Sequence, residues 1–139
     1  MLLETHSHTS TVSPCGKLNP QELIHAYQNA GYRGIVITDH LFESGPIFDA
    51  DISWKEKCDR LFEGYRLAAE AGKAAGIHVY PAFELRFTYM PGCDFLVYGM
   101  GPDILPSIPE PYKMTLEEFR RAADREGALI VQAHPFRSY

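Results

Sequence analysis

The chain has 139 residues, 45% of them hydrophobic and 22% charged, which is the size and composition of one globular domain spanning residues 1–139. Its formal net charge of −5, with no block of basic residues, does not favour nucleic acid as a partner, and its three widely spaced cysteines do not favour a disulfide framework. No apolar run reaches the roughly 18 residues of a membrane span and no signal-peptide pattern opens the chain, so we expect a cytoplasmic protein without a membrane partner.

The first third of the chain predicts a strand, a helix and a second strand. The apolar run over 1–6 indicates the first strand, and a loop rich in Ser, Thr, Pro and Gly follows it. A helix begins after Asn19, which forms a capping box with Glu22, and Gly31 ends it. The β-branched run over 33–38 predicts a buried strand.

The middle of the chain predicts a long helix and a hairpin. After a loop over 41–53, apolar residues recur at helical spacing from Trp54 to about Ala75, which predicts one helix. Strands are predicted over 77–87 and 94–100. The turn between them is too short for a crossover helix, so we expect these two strands to pair antiparallel.

The last part of the chain predicts one more helix and one more strand. A Pro-rich loop over 102–111 leads to a capping box formed by Thr115 and Glu118, and the helix ends near Gly127. The final strand covers 128–133. The order is therefore β-α-β-α-β-β-α-β, an α/β pattern in which strands joined by helices are expected to pair in parallel.

Two histidines, His6 and His8, close the first predicted strand. Residues i and i+2 of an extended backbone point to the same face, so these imidazoles suit one borderline metal ion or two close together. Further ligand-type residues stand at the ends of later strands: Asp39, His40, Glu84, Asp94 and His134. Asp94 begins its strand, but the hairpin returns it to the rim that carries Glu84. Because chemistry gathers at the carboxyl ends of parallel strands, these residues predict one metal site.

Histidine nitrogens and carboxylate oxygens together suit divalent transition metals, namely Zn, Mn or Fe, better than Mg or Ca. Cys15, in the loop after His8, is either a further soft ligand or an ordinary loop thiol. His25 lies within a helix and His78 at the far end of a strand, so we expect both to be structural or solvated.

Two arginines accompany the predicted metal site. Arg86 shares a strand face with Glu84, and Arg137 follows His134 by three residues. Guanidinium groups beside a metal cluster suit the oxygens of a phosphate, so we expect both arginines to bind substrate. The alternative is that each arginine only balances the neighbouring carboxylates.

Four segments of the chain resemble the polymerase and histidinol phosphatase (PHP) family. They are His6-Ser7-His8-Thr9, Ile37-Thr38-Asp39-His40, Phe83-Glu84 and Ala133-His134-Pro135-Phe136. The resemblance implies a distorted PHP-type β/α barrel, a site of two or three metal ions and phosphoester hydrolysis. It also implies that the metal ligands are His6, His8, His40, Glu84 and His134, with Asp94 in the place of a family histidine.

The resemblance implies a mechanism and a substrate class. Bound metals would activate a water for attack on phosphorus, in a phosphorylated small molecule or a nucleotide. Asp39 and Arg137 are expected to be the catalytic residues, Asp39 by orienting a ligand and Arg137 by holding phosphate oxygens.

The family also has a late Asp-x-His motif, and none follows His134. The resemblance therefore implies the N-terminal portion of the domain, with a partial barrel, weak or no hydrolysis of p-nitrophenyl phosphate, and self-association through an open sheet edge. The alternative function is a non-catalytic metal-binding or assembly module that keeps the early ligands. Metal content measured together with phosphatase activity distinguishes the two.

Overall fold

The structure, a computed structural model, describes residues 1–44 and 51–137. Residues 45–50, within the predicted loop over 41–53, and residues 138–139 lie outside the described residues. The elements are β1 (Leu2–Ser7), α1 (Pro20–Asn29), β2 (Tyr32–Ile37), β3 (His40–Leu41), α2 (Trp54–Leu61), α3 (Glu63–Ala75), β4 (His78–Arg86), β5 (Asp94–Tyr98), α4 (Leu116–Arg125) and β6 (Leu129–Gln132). Two short 3-10 helices, Leu105–Ser107 and Pro111–Lys113, lie between β5 and α4.

Capping boxes begin three of the helices. Asn19 caps α1 and Thr115 caps α4, each accepting a hydrogen bond from the backbone N–H three residues later, as the sequence predicts. Ser53 forms the same box with Glu56 at the start of α2. The sequence analysis missed this third box, although the Ser-x-x-Glu pattern could have revealed it.

The predicted single helix from Trp54 to Ala75 is wrong, because the chain breaks into α2 and α3 at Phe62. Phe62 is 1% exposed and packs against Phe83, with ring centroids 6.4 Å apart. Gly64, in the first turn of α3, lies against the loop that follows β1, so close that a side chain would not fit. Tertiary packing at these two positions accounts for the break.

The strands form one sheet in the order β1-β2-β4-β5-β6, with the short β3 beside β4. β1, β2 and β4 pair in parallel. The predicted antiparallel hairpin of β4 and β5 is confirmed, and its register places Glu84 opposite Leu96.

The expectation that helix-joined strands pair in parallel is wrong for β5 and β6, which pair antiparallel. The reason lies in the segment between them. After β5 the chain first runs back to the carboxyl end of β4, where the Tyr112 carbonyl accepts a hydrogen bond of 2.8 Å from the Thr88 N–H. The helix α4 then leads the chain to the end of the sheet at which β5 finishes. β6 therefore starts where β5 ends, with Leu129 opposite Tyr98, and runs parallel to β4.

The sheet curves into part of a barrel. The Tyr98 hydroxyl of β5 donates a hydrogen bond of 2.9 Å to the Thr5 carbonyl of β1, although β2 and β4 lie between these strands in the sheet. At the ends of β1 and β6, the rings of His6 and His134 stack with centroids 5.9 Å apart. The curvature thus brings the carboxyl ends of strands that are distant in the sheet to a common rim.

The helices bury the outer face of this curved sheet in two apolar clusters. One cluster joins α1 and α3 to β2, with Ile24 and Ile37 each 1% exposed. The other joins α2 and α4 to β4 and β5, with Phe83 and Phe119 each 0% exposed. In the described residues, no helix is both long and apolar enough to cross a bilayer.

Candidate metal centre

The carboxylate of Glu84 lies at the centre of the site, and its side chain is 0% exposed. Four imidazole nitrogens surround it. Glu84 Oε2 is 3.3 Å from His6 Nε2 and 3.1 Å from His8 Nε2. The same oxygen is 3.1 Å from His40 Nδ1, and Oε1 is 2.9 Å from His134 Nε2.

Four strand ends bring these side chains together. The bulged end of β1 carries His6 and His8, and β3 pairs with β4 so that His40 lies beside Glu84. His134 follows β6 with φ 32°, in the left-handed region that residues other than glycine seldom adopt. A hydrogen bond of 3.0 Å from the Arg137 N–H to the His134 carbonyl closes this turn.

The charges of the site compensate one another. Burial raises the pKa of Glu84, but close polar contacts with the imidazoles of His40, His6 and His8 outweigh burial and hold this pKa well below its usual range. The hydrogen bond with Glu84 in turn raises the pKa of His6 above its ordinary value. Glu84 is therefore a buried anion whose charge is stabilised by the surrounding imidazoles.

The donor atoms form two groups that fit divalent metal ions. One group is His6, Glu84 and His134, and the other is His8, Cys15 and His40; in each, three ligand atoms lie within 4.8 Å of one another. Across the groups, His6 Nε2 and His8 Nε2 are 3.0 Å apart, close to the spacing of about 3.3 Å between two nitrogens on one tetrahedral zinc.

Two buried ring nitrogens, His8 Nδ1 and His40 Nδ1, make no hydrogen bond of acceptable geometry. His40 Nδ1 nevertheless lies 3.1 Å from Glu84 Oε2, and this contact is electrostatic. Buried ring nitrogens without hydrogen-bond partners, in histidines that also contact a buried carboxylate, are typical of a donor set suited to a cation.

Asp94 lies at the same rim but outside both groups. Its carboxylate, 1% exposed, accepts hydrogen bonds from Arg86 Nε at 2.6 Å and from Arg86 Nη2 at 2.9 Å. Its nearest approach to a predicted ligand is 3.8 Å, from Oδ2 to His134 Nε2. The geometry thus brings Asp94 to Arg86, whose guanidinium also lies 4.3 Å from the centre of the Phe42 ring.

Asp39 lies behind the site and fixes the loop after β1. Its Oδ1 accepts from the Thr9 N–H at 2.8 Å and from Ser13 Oγ at 2.7 Å, and its Oδ2 accepts from Thr9 Oγ1 at 2.8 Å. Ser13 Oγ also accepts from the His40 N–H at 3.0 Å. Burial raises the pKa of Asp39, and these hydrogen bonds oppose the rise. Asp39 thus contacts the loop after β1 and, through Ser13, the backbone of His40, and its expected role of orienting a ligand stays a prediction.

Sequence reasoning missed Thr9, Ser13 and Gly64 as supports of the site. A Cβ atom on Gly64 would lie 2.6 Å from Asp39 Oδ2, which is closer than Cβ atoms in proteins come to a non-bonded neighbour. Thr9 belongs to the segment His6-Ser7-His8-Thr9, but its contact with Asp39 is not visible in the sequence, and Ser13 and Gly64 belong to none of the four segments. Their role follows only from the way in which α3 packs against the loop after β1.

The site opens into a cavity of about 430 Å³. Its lining residues are His6, His8, Cys15, His40, Glu84, Arg86, Asp94, His134 and Arg137. Every residue predicted to bind metal or substrate lies here, whereas Asp39 does not. His25 and His78 are exposed elsewhere, as the sequence predicts.

A larger cavity of about 670 Å³ lies beside α4, β5 and β6. Its lining is mostly apolar, with Phe95, Leu116 and Ile130 among its residues. Neither group of potential metal ligands in the described residues lies there, so the smaller cavity is the candidate site.

No protein-family model matches the chain, and a search of curated proteins finds no match. Among solved structures, the fold is similar to that of a two-domain protein from Bacteroides vulgatus that contains a predicted PHP-like metal-dependent phosphoesterase. That likeness has a TM-score of 0.61 and 20% identity, over 92% of this chain and 33% of that chain. The fold is also similar to that of a proposed metal-dependent phosphoesterase from Bifidobacterium adolescentis. There the TM-score is 0.51 and the identity 19%, over 88% of this chain and 34% of that chain.

The chain thus spans about a third of the length of each of these two proteins, 33% and 34% respectively. At such identities the likeness concerns the fold. It confirms the predicted partial PHP-type β/α barrel, and it agrees with the family resemblance drawn from the four sequence segments.

Proposed function

We propose that this protein is a metal-dependent phosphoesterase that hydrolyses a phosphate ester through a metal-activated water. The observation that carries this proposal is the buried Glu84 carboxylate, surrounded by four histidine nitrogens in a cavity that Arg86 and Arg137 also line. The reaction named for the two proteins of similar fold is of the same class.

The proposed cofactors are two or three divalent ions of Zn, Mn or Fe, held by His6, His8, His40, Glu84 and His134. When bound, such ions lower the pKa of a bound water toward neutrality and polarise a phosphoryl oxygen. Glu84 joins the two groups of donors, because Oε1 faces His134 while Oε2 faces His8 and His40. Its buried negative charge favours cations in both groups.

Arg86 and Arg137 are proposed to hold the non-bridging oxygens of the phosphate. Asp94 and the Phe42 ring fix the guanidinium of Arg86 at the edge of the cavity. Arg137 is carried by the turn at His134 and lines the same cavity. A planar guanidinium donates two parallel hydrogen bonds to phosphate, which fits this task. Asp94 is then a positioning residue for Arg86.

The proposed substrate is a phosphorylated small molecule or a nucleotide. A cavity of about 430 Å³ lies within the size range of small-molecule sites. Its mouth holds two arginines but no wider basic stripe of the kind that tracks a nucleic-acid backbone.

The test compares Glu84→Gln with His78→Ala, a matched change at an exposed histidine on the opposite end of β4. Each protein is stripped with a chelator, reloaded with Zn²⁺ or Mn²⁺, and assayed for bound metal and for hydrolysis of p-nitrophenyl phosphate. We expect weak, metal-dependent turnover in the wild type and the same turnover in His78→Ala. In Glu84→Gln we expect metal affinity to fall by more than about tenfold, because the shared anion is lost.

Two results would contradict the proposal. Equal losses in the two variants would place the active rim elsewhere. Tight metal binding by the wild type without hydrolysis of any phosphate monoester or diester would instead indicate a non-catalytic metal-binding module.

A further inference from the structure

Cys15 is the one residue of the metal-ligand groups that carries a thiol, and it lies in the loop between β1 and α1. Its Sγ atom is 3.1 Å from His40 Nε2. One ring nitrogen of His8 completes the group, with the three ligand atoms within 4.8 Å of one another. The rings of His8 and His40 stack with centroids 4.3 Å apart, so both present their edges to the same space.

The loop holds Cys15 in this position. Ser13, two residues earlier, is tied to Asp39 through its hydroxyl at 2.7 Å and to the Thr9 carbonyl through its N–H at 3.0 Å. Gly16, the next residue, donates its N–H to the Ser13 carbonyl at 2.9 Å. A Cβ atom on Gly16 would lie 2.7 Å from the Ser10 nitrogen, so the turn is packed tightly against the start of the loop. The thiol is thus fixed on both sides toward His40.

The imidazole of His40 faces both groups of donors. Its Nδ1 lies 3.1 Å from Glu84 Oε2, and its Nε2 faces the Cys15 sulfur. A nearby carboxylate favours the tautomer that carries the proton on Nδ1, which leaves the lone pair of Nε2 directed toward the thiol. A carboxylate behind one ring nitrogen and a metal on the other is a common arrangement in zinc proteins.

We propose that Cys15 is a thiolate metal ligand, and that His8, Cys15 and His40 form a soft site that selects zinc. This inference rests on the proposed metal-dependent function. On binding, the thiol gives its proton to solvent and a sulfur–metal bond forms, with no change of oxidation state. Thiolate and imidazole ligands favour Zn²⁺ over Mn²⁺ or Mg²⁺, whereas the group of His6, Glu84 and His134 offers only nitrogen and oxygen donors.

The two groups would therefore differ in metal preference although they share one cavity. The soft site retains zinc when the nitrogen–oxygen site exchanges its ion. A divalent ion beside His40 also adds positive charge next to Glu84, where phosphate oxygens are proposed to bind. Cys15 thereby determines which metal ion the group of His8, Cys15 and His40 binds.

The test is cobalt substitution of the full chain, because Co²⁺ bound to a thiolate has a sulfur-to-metal charge-transfer band in the near ultraviolet. Metal-stripped protein is titrated with Co²⁺, and the absorption spectrum and bound cobalt are recorded together. We expect the band in the wild type and its loss in Cys15→Ala, with the visible cobalt bands of the remaining site retained. Cys93→Ala, a change at another free cysteine, should keep the charge-transfer band.

His134→Ala separates this inference from the proposed function, since it removes a ligand from the nitrogen–oxygen group only. We expect it to bind less cobalt than the wild type and to keep the charge-transfer band. Cobalt bound without such a band in the wild type, or a band that survives Cys15→Ala, would overturn the thiolate ligand while leaving the metal centre at Glu84 intact. Absence of any bound cobalt would overturn the proposed function as well.

Discussion

A carboxylate removed from water is stable as an anion only when hydrogen bonds or cations replace its hydration. Glu84 meets this condition through imidazoles that come from β1, β3 and the turn after β6. Each histidine alone would be an ordinary polar residue. Their common approach to one buried oxygen pair makes them a candidate cation-binding set, and Arg86 in the same cavity adds a group suited to phosphate.

At the level of single residues, we predict that the double change His6→Ala and His8→Ala removes most of the bound transition metal. The two side chains share the rim and lie 3.0 Å apart at their Nε2 atoms, so each donor group loses a ligand. Elemental analysis of the purified protein measures the effect. The matched control is His25→Ala with His78→Ala, two exposed histidines outside the site. Unchanged metal content in the first variant would refute the assignment.

At the level of elements, the site depends on how α3 meets the loop after β1. Gly64 lets the first turn of α3 approach Thr9 and Asp39 so closely that a side chain has no room. Asp39 in turn holds Thr9 and Ser13, and Ser13 binds the backbone of His40. The helix therefore supports the candidate metal centre, although no residue of α3 belongs to either donor group in the described residues.

From this contact we predict that Gly64→Ala lowers the free energy of unfolding by about 1–3 kcal/mol, because the added methyl group overpacks a filled space. Metal affinity should fall as well, since the loop that carries Cys15 must move. Urea denaturation and a zinc titration measure the two effects.

The control for this change is Gly31→Ala. Gly31 has a positive φ of 83° and free space around it, so alanine there introduces only backbone strain. We expect it to lose stability and to keep the metal affinity of the wild type. A Gly64→Ala variant with wild-type metal affinity would show that α3 does not support the site.

At the level of the whole molecule, the curved sheet has two outer strands, β1 and β6. In the described residues, β6 pairs with β5 alone, and its side chains Leu129 and Val131 are 59% and 40% exposed. A strand with one unpaired edge and apolar side chains is a template for pairing with another strand. In a dimer with a two-fold axis, the unpaired edge of β6 in one copy would pair with the same edge of β6 in the other copy.

We therefore predict that the chain self-associates through β6, and that Leu129→Lys or Val131→Lys raises the monomer fraction. A lysine at a sheet edge opposes pairing because its charge would have to be buried against the partner. Sedimentation velocity over a range of concentrations measures the effect. Leu18→Lys, at a comparably exposed apolar residue in the loop before α1, is the control and should leave the association unchanged. A wild type that stays monomeric at every concentration would contradict the prediction.

The sequence by itself determined the features that depend on neighbouring residues. The capping boxes at Asn19 and Thr115 and the hairpin between β4 and β5 follow from spacings of a few residues, and the structure confirms them. The placement of His6 and His8 on one face follows from the two-residue period of an extended chain. The candidate ligands could be named early because they stand at strand ends in a pattern that resembles a known family.

Only the tertiary structure decided which of these residues meet. The antiparallel pairing of β5 and β6 depends on the path of the chain between them, and the break at Phe62 depends on the packing of that side chain. The Asp94 carboxylate accepts a hydrogen bond from Arg86, and the Cys15 sulfur lies against His40, a residue 25 positions away in the sequence. Local sequence rules describe the nearest neighbours along the chain, whereas these contacts depend on strand order, sheet curvature and loop closure.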